Sequence, residues 1–443
     1  MIYPRLKLAR NLLTDDGVIF ISIDDNEFSN LKKICDEIFN ESNYVGNFIR
    51  KTVTQRAMAK NYNTQHEYCF IYAKDISFFD LMGDEKDFQG YSNPDNDLNG
   101  DWKSVDPTIK GSNNLFEIKN PFTGKVDLPP KGRGWGFKES QIENLVNSKQ
   151  LVFKETHGEN ERGFFLKHYK KNLKSKFLLI NSLDTCNNSY LNQISTKELN
   201  EDFDFQIFDY AKPSAFIKKI LSCSKSKNFI ILDFFSGSST TSDAIMRLNA
   251  EDNGKRCFIM VQIPEEVDSS TSAFKNGLKT LSDIGKERIK VIGEKIQNNS
   301  IYDLDIGFKV FKLDSSNLKK WDPDYKDPEQ AILSSVDNIK SDRTEFDLLY
   351  EIMLKYGIDL TLAIDEYEVN GKKIYSVGFG ALFICLDDEI TSEIATKVID
   401  LKDELSPETV RVVFKDNGFL SDSDKTNIKE TLKNGGIDEF ITI

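Results

Sequence analysis

The chain has 443 residues, with 58 Lys+Arg against 71 Asp+Glu and a formal net charge of −13. That length allows two or three domains, each with its own core. Three histidines argue against a histidine-rich metal site, and six cysteines without a C-x-x-C pair read as buried free thiols rather than zinc ligands or disulfides. No apolar run approaches a membrane span and the N-terminus lacks a signal-peptide profile, so a soluble cytoplasmic protein is expected.

The acidity is uneven. Residues 311–443 carry 16 Lys+Arg against 28 Asp+Glu, whereas residues 51–180 carry 20 against 17. The net charge read globally argues against a nucleic-acid partner, but a DNA-facing surface in the second hundred residues stays open.

Residues 3–13 space their leucines as an amphipathic helix, with Pro4 suited to its first turn. After the break at Thr14-Asp-Asp-Gly17, residues 18–23 (Val-Ile-Phe-Ile-Ser-Ile) form a continuous apolar strand of the kind buried on both faces of a parallel sheet. A helix over about 26–39 and a core strand over 67–73 follow. Residues 1–75 thus supply the first part of a domain, and not a complete one.

Residues 76–205 are rich in Asn, Gly and Pro and weakly periodic. Short β-like pieces are predicted at 164–166 and 177–180. Residues 131–137 (Lys-Gly-Arg-Gly-Trp-Gly-Phe) and 167–176 mix cations with aromatics. One reading is a solvated insertion with ordinary surface lysines. The other is a domain that tracks phosphates with Lys and Arg and reads bases with Asn, Arg and aromatics.

Periodicity returns over 206–310. Phe208-Asp-Tyr-Ala-Lys-Pro-Ser214 leads into a helix at 215–221, and then comes the stretch that organises the chain. An apolar strand, 229–232, ends at Asp233; a small-residue turn, 236–239, follows; Ala244, Ile245 and Leu248 then repeat at helical spacing. Such a turn points the first N–H groups of a helix over a strand's carboxyl end, where open α/β sheets bind nucleotide-like ligands. Asp233 suits ribose hydroxyls and Gly237 a close backbone approach. Ser239 stands where a Gly-x-Gly turn has its second glycine. A routine strand-to-helix connection is the competing reading. The next strand, 257–265, favours the ligand turn, because Gln262 and Glu265 fall where a βαβ unit holds an adenosine ribose. A Lys- and Glu-rich helix is predicted over 275–297. Residues 311–443 read as an α+β unit, with strands at 373–379, 381–386 and 411–414 and helices at 345–355, 390–398 and 424–434.

The cofactor strand comes late, after other strands of what reads as one parallel sheet. That order implies a permuted α/β domain with a large insertion. With these motifs it resembles the DNA-methylation (Mod) subunit of type III restriction–modification systems, an adenine methyltransferase of the β class. Residues 229–249 are similar to motif I of that family, Gln262 and Glu265 to motif II, and Phe208-Asp-Tyr-Ala-Lys-Pro213 to motif X. Residues 12–24 resemble the strand after the catalytic motif, and 66–74 the segment before the target-recognition domain. Asn120-Pro-Phe-Thr-Gly124 and Arg133-Gly-Trp135 are similar to that domain itself.

The resemblance implies a permuted Rossmann-like sheet in two parts (1–75 and 206–310), an inserted target-recognition domain (76–205) and an acidic α+β C-terminal domain for dimerisation or partner docking (311–443). It implies S-adenosylmethionine as cofactor, held by Asp233, Phe234, Phe235, Ser236, Gly237, Ser238, Ser239 and Thr240, by Gln262 and Glu265, and by Lys212 and Pro213. It also implies double-stranded DNA with a flipped adenine, a restriction subunit and a homodimer as partners.

The sequence departs from the family at one point. The catalytic Asp-Pro-Pro-Tyr, whose oxygens hold the target amine while the aromatic stacks on the base, is expected before Met1 and is absent. Asp322-Pro-Asp-Tyr325 follows no strand and has a carboxylate for the middle proline; Asn120-Pro-Phe-Thr123 lies in the insertion. A truncated or split enzyme is therefore expected, with a catalytically inert DNA-recognition and assembly subunit as the alternative. An enzyme acting on RNA or a small molecule fits less well, because the insertion exceeds what a small substrate requires.

Overall fold

The computed structural model describes residues 2–54, 62–208, 211–319 and 339–443. Asp209, Tyr210 and the Asp322–Tyr325 sequence lie outside the described residues. The chain divides into two compact units, Met1–Gly307 and Phe308–Ile443. Among the described residues no helix is long and apolar enough to cross a membrane.

The first unit opens with α1 (Ile2–Leu12), β1 (Val18–Ile23), α2 (Phe28–Phe39), β2 (Tyr44–Lys51) and β3 (His66–Ala73). Residues 18–23 make contacts on both faces but are only half-buried, not the buried strand expected: Ile19, Ile21 and Ile23 pack with Leu6, Leu31 and Phe39, and Val18 and Phe20 with Phe216 and Ile220. Nor is the expected parallel pairing present. β1 runs antiparallel to β3, Val18 opposite Ala73 and Ile23 opposite Tyr68, in a sheet of order β1-β3-β2. An apolar run requires cover on both faces but says nothing about strand direction.

Within residues 76–205, residues 102–169 build a small core of their own, whereas Phe79, Leu81, Ile180 and Tyr190 pack with Phe216 and Ile220, and Leu199 and Phe203 with Ala273 and Ile284. β4 (Trp102–Val105), β5 (Thr108–Lys110), β6 (Ile118–Lys119), β7 (Val126–Asp127), β8 (Arg133–Trp135), α3 (Ile142–Asn147), β9 (Leu151–Phe153) and β10 (Phe164–Tyr169) enclose Ile118, Trp135, Phe137, Leu151 and Phe164. Residues 177–180 are not a strand. Phe177 forms a single bridge to Glu85, and Leu179 is almost fully exposed.

After α4 (Asn192–Asp202) and α5 (Ser214–Ser222) come β11 (Ile230–Asp233), α6 (Thr240–Asp252) and β12 (Cys257–Met260), the expected parallel βαβ unit. Ile231 and Phe258 pack under α5 and α6. The helix expected over 275–297 is instead two, α7 (Ser272–Lys275) and α8 (Leu281–Asn299). Gly277 takes φ +91°, and a capping box between Thr280 and Asp283 restarts the chain as α8.

In the second unit α9 (Glu345–Lys355), β13 (Ile364–Val369), β14 (Lys372–Val377), β15 (Leu382–Cys385), α10 (Ser392–Leu405), β16 (Arg411–Phe414), α11 (Asp422–Asn434) and β17 (Glu439–Thr442) form a five-stranded sheet in the order β13-β14-β15-β16-β17. The first two joins are antiparallel and the last two parallel. One face packs on α10 and α11 through Phe383, Cys385, Val412 and Phe414; the other packs on α9 through Tyr375, Leu382, Ile384 and Val413. The two edge strands, β13 and β17, were not anticipated. Their alternating, half-exposed residues give a weak signal.

Candidate functional site

The turn after β11 is built by its own side chains. Asp233 accepts the Phe235 N–H at 3.1 Å with one carboxylate oxygen and the Thr241 hydroxyl at 2.6 Å with the other. Ser239 donates its N–H to the Ser236 carbonyl at 2.7 Å, and its own carbonyl accepts the Ser242 hydroxyl. Gly237 (φ +51°) and Ser239 (φ +58°) both lie in the left-handed region. The position flagged as missing a glycine therefore does adopt a glycine conformation, at a cost of about 1–2 kcal/mol for a residue with a Cβ. Ser239 is the N-cap of α6, and the helix has no side-chain cap. Its first N–H groups are thus available at the carboxyl end of β11.

The structure brings Gln262 to this turn, its side-chain oxygen accepting the Gly237 N–H at 2.8 Å. Ser236 reaches the same strand end, donating to the Val261 carbonyl. Ser236, Ser238, Ser239 and Thr240 are buried, Phe235 is exposed, and Phe234 packs toward the cluster beneath α1 and α2. Glu265 stands three residues beyond Gln262, exposed, where its carbonyl receives the Leu281 N–H. Lys212 lies 3.8 Å from Glu67 on β3, and Pro213 is the N-cap of α5. Two residues that sequence reading missed also reach the turn, Gly285 and Arg288 of α8.

In the insertion the mixed motifs separate by chemistry. Trp135 is fully buried and donates its indole N–H to the Phe116 carbonyl, and Phe137 lies beside it. Arg133 is held by Asp106 and Thr108. Lys167 is buried between Asp95 and Asp97. Hydrogen bonds from Lys167, Asn99 and Tyr169 hold the Asp97 carboxyl well below the usual range. Lys170, Lys171, Lys174 and Lys176, with Lys110, Lys119 and Lys131, remain exposed. The aromatics therefore build the core and the outer lysines carry the positive surface.

Asn120 is likewise committed. It donates to the Lys154 and Gly163 carbonyls and accepts from the Phe122 and Thr123 N–H groups, all while 1% exposed. Its amide has no capacity left to hold a substrate amine. The thiols divide too. Cys35, Cys69, Cys223 and Cys385 are buried, as expected, but Cys257 is exposed and Cys186 half-buried. Cys257 sits on a strand face that nothing covers among the described residues, which is why the apolar run around it misleads.

A parallel βαβ unit with a left-handed turn before an uncapped helix start makes this an α/β protein, with the turn at the place where open α/β sheets bind ligands. The DNA methylase family model matches residues 1–272, and the chain belongs to that family. It is 34% identical over 322 residues to the type III restriction-modification enzyme StyLTI Mod subunit of Salmonella typhimurium, covering 70% of this chain and 47% of that protein. With the EcoP15I Mod subunit of Escherichia coli it shares 29% identity, over 98% of this chain and 70% of that one. The type II methyltransferase M.KpnI of Klebsiella pneumoniae is 30% identical over 66% of this chain and 73% of its own. The chain thus spans about half the length of the StyLTI subunit.

Proposed function

We propose that this chain is the cofactor- and DNA-binding part of a type III adenine methyltransferase, transferring the methyl group of S-adenosylmethionine to the exocyclic amine of adenine. The turn at 233–241 carries this reading. A Cβ on Gly237 would have nothing closer than 4.0 Å, so a ligand has room beside the backbone. The turn is left-handed at two residues and opens onto an uncapped helix start. Residues 234–240 would hold the methionine end, and Gln262 and Glu265 the ribose and adenine. When bound, the cofactor supplies an electrophilic methyl group. The chain's own part is to shape the turn, through the two hydrogen bonds of Asp233.

The groups that hold the acceptor amine are proposed to lie in a segment outside these 443 residues. Two observations support this: Asn120 is fully engaged, and the β11–β12 pair leaves Ile230 and Ile259 exposed on one face. Double-stranded DNA would meet the exposed lysines of the insertion, and the acidic C-terminal unit would serve the homodimer or the restriction subunit.

Calorimetric titration with S-adenosylmethionine, on the intact chain and Asp233→Ala, tests the reading. Binding is expected to weaken at least tenfold in the variant, with the thermal melt checked alongside; equal strong binding by both removes Asp233 from the site. The second reading, an inert recognition and assembly subunit, is favoured by the acidity of residues 311–443. DNA gel shifts indifferent to cofactor would support it.

A further inference from the structure

We infer that α8 is a working part of the ligand turn: Arg288 is a positioning residue that sets the turn's conformation, and Gly285 is the notch that lets the helix approach. This rests on the reading of residues 233–241 as the cofactor site. Both residues lie beyond the segment matched by the family model, which ends at residue 272.

The geometry is specific. Arg288 is 1% exposed, and its planar fork spans the turn and the first turn of α6. One terminal nitrogen donates to the Thr240 hydroxyl at 2.9 Å, the Ser238 hydroxyl at 3.1 Å and the Ser238 carbonyl at 3.4 Å. The other donates to the Asp243 carboxylate at 2.7 Å. Gly285, one turn earlier on the same helix face, is where α8 passes closest. A Cβ there would stand 2.6 Å from the Ser239 hydroxyl and 3.6 Å from the Gly237 carbonyl oxygen. The two residues thus meet the turn at the two left-handed positions, Gly237 and Ser239, and at the residue between them.

A plain counterion role for Arg288 does not account for this arrangement. Asp243 is buried, but it already has a cation from its own helix, Arg247, whose Nε donates to it at 2.5 Å. Arg288 is thus a second cation on that carboxylate, and it alone continues to Ser238 and Thr240. Its Nε, moreover, is buried without a hydrogen-bond partner. A burial that leaves a donor unpaired is costly, so the fork is placed by what its two terminal nitrogens hold. What they hold is the turn. Ser239 has a Cβ and resists the left-handed region, so the conformation persists only where its surroundings impose it. α8 imposes it from behind, through the contacts of Arg288 and Gly285 with residues 237–240.

The test compares Arg288→Lys, which keeps the charge without the fork, Arg288→Met, and the double variant Asp243→Asn/Arg288→Met, which removes both buried charges. Three readouts are taken on the full chain: thermal melting, hydrogen exchange of the amides at 236–241, and calorimetric affinity for S-adenosylmethionine well below the melting temperature. In Arg288→Met the turn amides should exchange at least tenfold faster and affinity should fall at least tenfold, with Arg288→Lys between it and the parent. The double variant should regain melting temperature without regaining slow exchange or affinity. Recovery of all three together, or unchanged turn exchange in Arg288→Met and Arg288→Lys, would reduce Arg288 to a structural counterion. If the parent chain binds no cofactor, the function proposed above fails, and the exchange measurements still decide whether Arg288 fixes the turn.

Discussion

Two pairs of parallel strands in this chain have similar sequences and opposite surroundings. β15 and β16 read Leu-Phe-Ile-Cys and Arg-Val-Val-Phe; β11 and β12 read Ile-Ile-Leu-Asp and Cys-Phe-Ile-Met. In the second unit every residue of β15 is buried, with α9 on one face and α10 and α11 on the other. In the first unit the register places Ile230 with Cys257 and Leu232 with Ile259 on one face, and Ile231 with Phe258 on the other. Among the described residues only the Ile231 side is covered, while Ile230 is 72% and Ile259 52% exposed. A two-sided apolar strand needs cover on both faces, and where a contiguous apolar face lacks it the surface marks an interaction site. The difference is therefore one of cover and not of sequence, and the open face lies on the same βαβ unit as the turn at 233–241.

Thiol labelling should give the largest contrast. Burial pushes the Cys385 thiol up to about 12, so its thiolate is roughly a thousandfold scarcer than that of an ordinary thiol at neutral pH. Cys257 should label rapidly in the folded chain and Cys385 only after unfolding. If no part of the fast phase is lost in Cys257→Ser, the exposed face of β12 is in fact covered.

Core truncation comes next. Phe383→Ala, at a fully buried site, should destabilise the second unit by about 3–5 kcal/mol in urea unfolding. Ile259→Ala, on the open face, should change stability by no more than about 0.5 kcal/mol. Comparable losses at both sites would break the comparison.

The smallest effect is an acid limb belonging to the second unit. Burial raises the Glu351 carboxyl, but hydrogen bonds from Lys355, Ser316 and the Asn317 N–H outweigh it and hold the group down to about 2, from an ordinary 4.5. Its stabilising contribution is therefore complete above the unfolded value near 4.5 and is lost as pH falls through the folded value. Glu351→Gln should flatten the decline in stability between about pH 5 and pH 2, measured by thermal melting across that range. An unchanged slope would show that Glu351 is not the group responsible.

Much of the site was legible because its residues are neighbours in the chain. Asp233, Gly237 and the serines around it spell a turn, and Ser239, where a Gly-x-Gly turn has its second glycine, takes the left-handed conformation. Gln262 was legible through the spacing of a βαβ unit, which puts two strand ends side by side. Arg288 and Gly285 were not, because they reach the turn from 46 residues or more away and look, in sequence, like any Lys- and Glu-rich surface helix. Asn120 misled in the opposite way: its local pattern suggested recognition, while its four hydrogen bonds close a buried turn.

Composition, apolar runs and turn residues by themselves determined that this chain alternates strands and helices, and that residues 229–262 hold a βαβ unit with a small-residue turn. These are local consequences of backbone sterics and hydrophobic period, readable residue by residue. Only the tertiary structure decided that β1 runs antiparallel, that Trp135, Phe137 and Phe164 face inward while the outer lysines around them face out, that one face of β11 and β12 is left open among the described residues, and that an arginine from α8 grips the turn. Strand direction, cover and long-range hydrogen bonds depend on which distant surfaces meet, and apolar character is the same whichever partner it finds.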